Sequence, residues 1–124
     1  MKPTLMIALG ALLAGLSVAL GAFGAHALAD TLQAHGRTDT FETAARYHMY
    51  HAIALVLVGL VAQAFPDKNL APVAWSWLVG MVFFSGSLYT LSLTNQTILG
   101  AVAPLGGLGF MIGWGWLAWQ FFKG

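Results

Sequence analysis

The stretch FETAARYHMYHAIALVLVGLVAQA, Phe41–Ala64, decides the fold. It is long enough to cross a bilayer core of about 30 Å, which takes about 20 apolar residues in helical form. Yet the polar cluster RYHMYH, Arg46–His51, stands where the apolar run begins. The rest of the chain explains the combination. It is 59% hydrophobic and 7% charged, against roughly 25% charged in an ordinary soluble domain. A chain that apolar must be solvated largely by lipid. The formal net charge is +1 with no basic cluster, so nothing in the sequence offers a footprint for nucleic acid. There is no cysteine, which excludes disulfides, thiolate metal sites and cysteine nucleophiles.

Three further windows match the first in length and character: Leu5–Leu28, Ala71–Leu93 and Ile98–Phe122. The separators DTLQAHGRTDT, FPDKN and LTNQT carry glycine, proline and polar turn chemistry. The last two are too short for anything but antiparallel neighbours. The expectation is one all-α membrane domain over 1–124, four transmembrane helices in an up-down-up-down bundle. Asp30–His35 is expected as a short interfacial helix, and Asp39 with Glu42 as an N-cap and its partner opening the second span. The first span competes with a signal peptide, but its apolar run exceeds the usual h-region of about 7–15 residues. Lys2, Lys68 and Lys123 fall on the side of the termini, Arg37 and Arg46 on the other. The positive-inside rule then favours cytoplasmic termini. Trp75, Trp77, Trp116 and Trp119 are expected as headgroup-level anchors near the terminus side, with Trp114 somewhat deeper.

Depth counting brings the polar motifs to one level on the non-terminus side. His26 closes span one, and Tyr47, His48 and His51 share a face early in span two. Ser85, Ser87 and Tyr89 end span three, and Pro104, Gly106 and Gly107 open span four. His26 is expected to hydrogen-bond to Tyr47 or His51. Glu42 and Arg46, four apart with the acid first, have the better order for an ion pair. Pro104 removes a backbone donor, so a kink is expected whose freed carbonyls the hydroxyls of Ser85, Ser87 or Tyr89 satisfy. Gly109 and Gly113, like Ala11, Gly15 and Ala19, read as small-residue stripes for close helix approach, and the same stripes equally suit contacts between subunits.

GAFGAHAL at Gly21–Leu28, Tyr47-x-x-x-His51 before an apolar run, FSGSLY at Phe84–Tyr89, and Pro104-x-Gly106-Gly107 with Gly113-Trp114 follow one another in this order. Together they resemble the YgdD/YwdK-like family of small four-span bacterial inner-membrane proteins, which has eukaryotic relatives. The resemblance implies multi-pass topology and location and brings no biochemical activity with it. It carries over His26, Tyr47, His51, Ser85, Ser87, Tyr89, Pro104, Gly106 and Gly107. It does not carry over Arg46 or His48, and so lends nothing to a His48-x-x-His51 metal site.

Three functional readings fit these residues. The first is a non-enzymatic accessory, scaffold or lipid-contacting module whose polar layer satisfies itself. It needs no cofactor, and its partners are membrane lipid and a second copy or another membrane protein. The second is a small-solute or proton transporter or channel. Against it, the ionisable residues reach only one side. The third is a metal or haem site on His26, His48 and His51, a weak ligand set without HExxH, a carboxylate pair or a Ser–His–Asp set.

Overall fold

The structure is a computed structural model describing residues 1–124. It is all helical. α1 spans Pro3–Ala25, α2 Ala29–His35 and α3 Thr38–Ala64. α4 (Ala71–Gly80), a π-helical segment (Met81–Gly86) and α5 (Ser87–Thr94) run on without a break, and α6 spans Leu99–Phe122. Four helices are long and apolar enough to cross a membrane: Pro3–Ala25, Thr38–Ala64, Ala71–Thr94 and Leu99–Phe122.

The boundaries have local causes. α1 begins with Pro3 in its first turn, where a missing N–H costs nothing. It stops at Ala25 rather than Leu28, because the Leu28 N–H folds back onto the Phe23 carbonyl at 2.8 Å. α2 ends at Gly36, whose φ of 64° is left-handed. The Arg37 N–H bonds the Leu32 carbonyl at 2.8 Å, so two helices meet across one tight turn. That junction starts α3 at Thr38 rather than at Phe41, and Asp39 falls inside the first turn. The expected Asp39 cap is therefore not made: the cap position is Arg37, with no side-chain capping bond. Asp39 instead puts negative charge near the positive end of the helix dipole. α6 runs through Pro104 as one helix.

Small residues set the packing. A Cβ on Gly10 would lie 2.7 Å from the Ala52 carbonyl oxygen, and one on Gly59 2.8 Å from the Pro3 carbonyl oxygen. Gly24 lies against the Phe41 ring. α1 and α3 thus run in opposite senses at backbone contact. Gly106, Gly109 and Gly113 do the same for α6, meeting Phe84, Ser76 and Trp77 in turn. In lipid, such close approach stabilises through dispersion contacts rather than expulsion of water. The core includes Met6, Leu55, Val58, Val73, Trp77 and Phe110. Leu12, Val18, Val82 and Met111 are exposed on the outside, as lipid contact requires.

The π-helical segment was not foreseen from FSGSLY. An extra residue in a turn rotates everything after it about the helix axis. As a result α4 packs mainly on α6, whereas Ser85 and Tyr89 reach α3. One span serves two neighbours. Gly106 makes this possible, since a Cβ there would collide with the Phe84 amide and the Gly80 carbonyl.

Candidate functional site

His51 lies at the midpoint of α3, thirteen residues from Thr38 and from Ala64, or about 20 Å from either end. One ring nitrogen, Nδ1, is 2.8 Å from the Tyr47 carbonyl. A carbonyl only accepts, so Nδ1 carries the proton and donates. The indole N–H of Trp114 donates to the other nitrogen, Nε2, at 3.0 Å. Indole is a donor only, so Nε2 presents its lone pair and the imidazole is neutral. The ring stacks on Phe110 with centroids 3.6 Å apart and planes 8° apart. It also meets Trp77 and Trp114 edge-on at 5.9 and 6.0 Å. Trp77 in turn donates its N–H to the Phe110 carbonyl at 3.2 Å. One aromatic cluster thereby ties α3, α4 and α6 together at mid-bundle.

A second set of bonds ties α1, α3 and the third span. His48 Nδ1 and the Tyr89 hydroxyl are 2.9 Å apart. Ser17 donates to the Ala45 carbonyl at 2.9 Å, and Ser85 to the Ala44 carbonyl at 2.8 Å. His48 is 4% exposed, and its Nε2 is buried without a hydrogen-bond partner. Near the end of the bundle, His35 Nδ1–H donates to the Ser92 carbonyl at 2.9 Å, and Arg37 Nε–H to Asn95 Oδ1 at 3.2 Å.

Several sequence expectations need correcting. His26 is the C-cap of α1 and exposed, and it bonds neither Tyr47 nor His51. It lies beyond the Gly24–Phe41 contact, and Phe41 is ten residues from His51 on α3, a separation of about 15 Å. The polar layer runs from His51 at mid-bundle into the non-terminus half, where Ser17, Ser85 and Tyr89 meet α3, and His26 is outside it. Tyr47 contributes its carbonyl and its ring, 5.1 Å from Phe84, rather than its hydroxyl. Ser87 is buried but joins neither set of bonds. The hydroxyls of Ser85 and Tyr89 go to α3, so they do not serve carbonyls freed by Pro104. Gly107 is nearly open, with Phe84 Cδ2 3.9 Å from where its Cβ would be. Trp77 is 1% exposed and is a core residue, because Gly113 leaves room for its indole. By contrast, Trp75 and Trp119 are exposed, and Trp116 donates to the Asn69 carbonyl at 2.9 Å at the terminus end.

The histidines do not gather as metal ligands. No three His, Asp or Glu side chains come together, and both nitrogens of His51 are committed to other partners. Trp114 as the partner of His51 escaped the sequence reading. The signal available was depth, since Trp114 lies farther from the α6 terminus than Trp116 and Trp119.

Glu42 and Arg46 do not form the expected ion pair within 4.0 Å. Both side chains are exposed and instead line a cavity of about 590 Å³ between α1, α2 and α3. Gly21, Gly24, Gln33 and Thr38 contribute to the same walls.

Residues 20–107 match the family described as "Protein of unknown function (DUF423)". The chain is similar to a UPF0382 membrane protein of Staphylococcus haemolyticus, 44% identical over 119 residues that cover 96% of both chains. It is similar to the UPF0382 membrane protein YwdK of Bacillus subtilis, 44% identical over 87% of this chain and 88% of the other. A UPF0382 membrane protein of Haemophilus influenzae is 41% identical over 86% of this chain and 84% of its own length. No solved structure matches. The family match includes His51, Ser85, Tyr89 and Gly106 and stops before Gly113 and Trp114.

Proposed function

The chain belongs to the DUF423 family of membrane proteins, and from that premise we propose that it is a non-catalytic, lipid-contacting module of the bacterial inner membrane. In this reading it is a single up-down-up-down domain with both termini in the cytoplasm. Its partners are bilayer lipid and a second copy or another membrane protein.

One observation carries the reading: apart from His48 Nε2, the polar groups of the layer bond to other parts of the bundle. His51 is saturated by Tyr47 and Trp114, and the hydroxyls of Ser17, Ser85 and Tyr89 all bond to α3. Interhelical hydrogen bonds of this kind fix the arrangement of membrane helices. Toward the terminus side the core is Met6, Leu55, Val58, Val73 and Trp77, which offers no ionisable group to continue a proton path.

Transport is the second reading, and His48 favours it: Nδ1 meets the Tyr89 hydroxyl while the buried Nε2 has no partner, and an ionisable group inside a membrane span is a candidate relay. Reconstitution into vesicles holding a pH-sensitive dye separates the two. The module reading expects vesicles with and without the protein to leak protons alike. A protein-dependent flux that disappears in His48→Gln would replace it with the transport reading.

A further inference from the structure

The cavity between α1, α2 and α3 is lined by Arg46, the charged side chain set farthest into any of the membrane-crossing helices. Arg46 lies eight residues past Thr38, about 12 Å along α3. A guanidinium that far into a crossing helix is stabilised by a counter-charge, by backbone carbonyls or by water reaching it through a cavity. Glu42 stands one turn away, where side chains four apart lie about 5–6 Å apart at Cβ. Yet the two do not pair, and both line the same opening. An acid and a base held on one wall, each without a partner, match a ligand bearing both charges at a fixed short separation.

The order of the charges identifies the ligand further. Glu42 is nearer the end of α3 and Arg46 is deeper. In a bilayer, the phosphate of a zwitterionic phospholipid lies deeper than the ammonium it carries. Arg46 is therefore placed for the phosphate, in the planar two-point geometry that guanidinium makes with such oxygens. Glu42 is placed for the ammonium. A carboxylate favours a primary ammonium, which donates hydrogen bonds, over a quaternary one, which has none to give and is usually held by aromatic faces. Gln33 and Thr38 add polar groups at the rim, and Gly21 and Gly24 keep the α1 wall low.

We propose that this cavity binds the headgroup of a phosphatidylethanolamine-type lipid, with Arg46 on the phosphate and Glu42 on the primary ammonium. The chemistry is that of any phosphate joined by two carbons to an ammonium, and the position within a crossing helix commits it to the lipid-borne form. The inference rests on the lipid-contacting reading above and specifies its ligand.

Native mass spectrometry of the full chain, equilibrated with equal amounts of phosphatidylethanolamine, phosphatidylcholine and phosphatidylglycerol, tests it. The ethanolamine lipid is expected to be retained at least about tenfold over the other two, the scale of one charge-assisted bond. Arg46→Gln should lower that retention by about the same factor. Glu42→Gln should remove the preference among headgroups while keeping retention. Gly21→Leu leaves both charges in place and has open space at its own Cβ. Filling the cavity in this way should displace the lipid without unfolding the chain. Equal retention of the three lipids, or retention unchanged in Arg46→Gln and Gly21→Leu, would overturn the site. Displacement by soluble phosphoethanolamine at lipid-equivalent concentration would overturn the lipid-borne form. Loss of selectivity without proton flux removes only the headgroup site. A protein-dependent flux removes the module reading, whatever lipid is retained.

Discussion

Removing the indole donor from the His51–Trp114 contact isolates the bond that ties α3 to α6. Trp114→Phe keeps an aromatic ring and deletes the N–H, leaving His51 Nε2 as an acceptor with no partner. Trp114 is 46% exposed, but at this depth exposure means lipid, which supplies no replacement donor. An orphaned buried acceptor costs about 1–3 kcal/mol, and interhelical hydrogen bonds measured in a membrane protein average about 0.6 with a maximum near 1.7. The 3.0 Å separation and the ring held flat on Phe110 place this pair toward the upper end of that range, about 1–1.5 kcal/mol. The smaller ring also loses packing, so the single variant overstates the bond. His51→Phe, which retains stacking on Phe110, and the double variant complete a cycle that cancels this loss. Reversible unfolding in mixed micelles with sodium dodecyl sulfate, followed by far-ultraviolet circular dichroism, reads all four stabilities. A coupling energy near 1 kcal/mol is expected. A coupling below about 0.3 kcal/mol, the scatter of independent sites, would refute the reasoning.

Further outcomes use the same unfolding assay. Gly106→Ala should cost about 3 kcal/mol or more, the upper end of overpacking penalties, because the colliding atoms are backbone of the π-helical turn. Gly15→Ala, with nothing within 4 Å of its Cβ, should be neutral or stabilise by up to about 1 kcal/mol. Equal effects from the two would contradict the packing described. Ser85→Ala should cost about 1 kcal/mol through the bond to the Ala44 carbonyl, and no loss at all would place that hydroxyl outside the network. Acidifying from pH 8 to 5 should lower stability, because protonated Nε2 of His51 becomes a donor facing the Trp114 donor. His51→Phe should flatten that slope, and an unchanged slope would assign it to another group.

The spans were legible because length and hydropathy suffice to find a crossing helix, and Gly36, Pro66 and Asn95 mark where crossings stop. The short helix before α3 was legible for the same reason, Gly36 closing it as a left-handed cap. The depth of the histidines was not. It depends on where α3 starts, and the tight turn at Gly36–Arg37 moves that start to Thr38, which carries His51 to mid-helix. The rotation of Trp77 was hidden too, because a tryptophan near a span's start fits an interface as well as a core. Only Gly113 opposite it decides. The π-helical turn has no compositional signature, since glycine and serine at 85–87 are equally at home in an ordinary membrane helix. His26 shares a motif with its neighbours without sharing their location. Sequence adjacency to GAFG placed it at the end of α1, where the chain turns outward.

Because the chain contains no cysteine, single cysteines report which compartment or phase each position faces. The most direct measurement places them one at a time at Asp67, Asn95, Val82 and Met111 in intact, oriented membrane vesicles, and labels with a membrane-impermeant maleimide. Four alternating crossings require Asp67 and Asn95 to label from opposite sides, with Val82 and Met111 protected from both. Labelling of Asp67 and Asn95 from the same side, or free labelling at Val82, would contradict the membrane bundle that holds His51 and Trp114 at mid-depth.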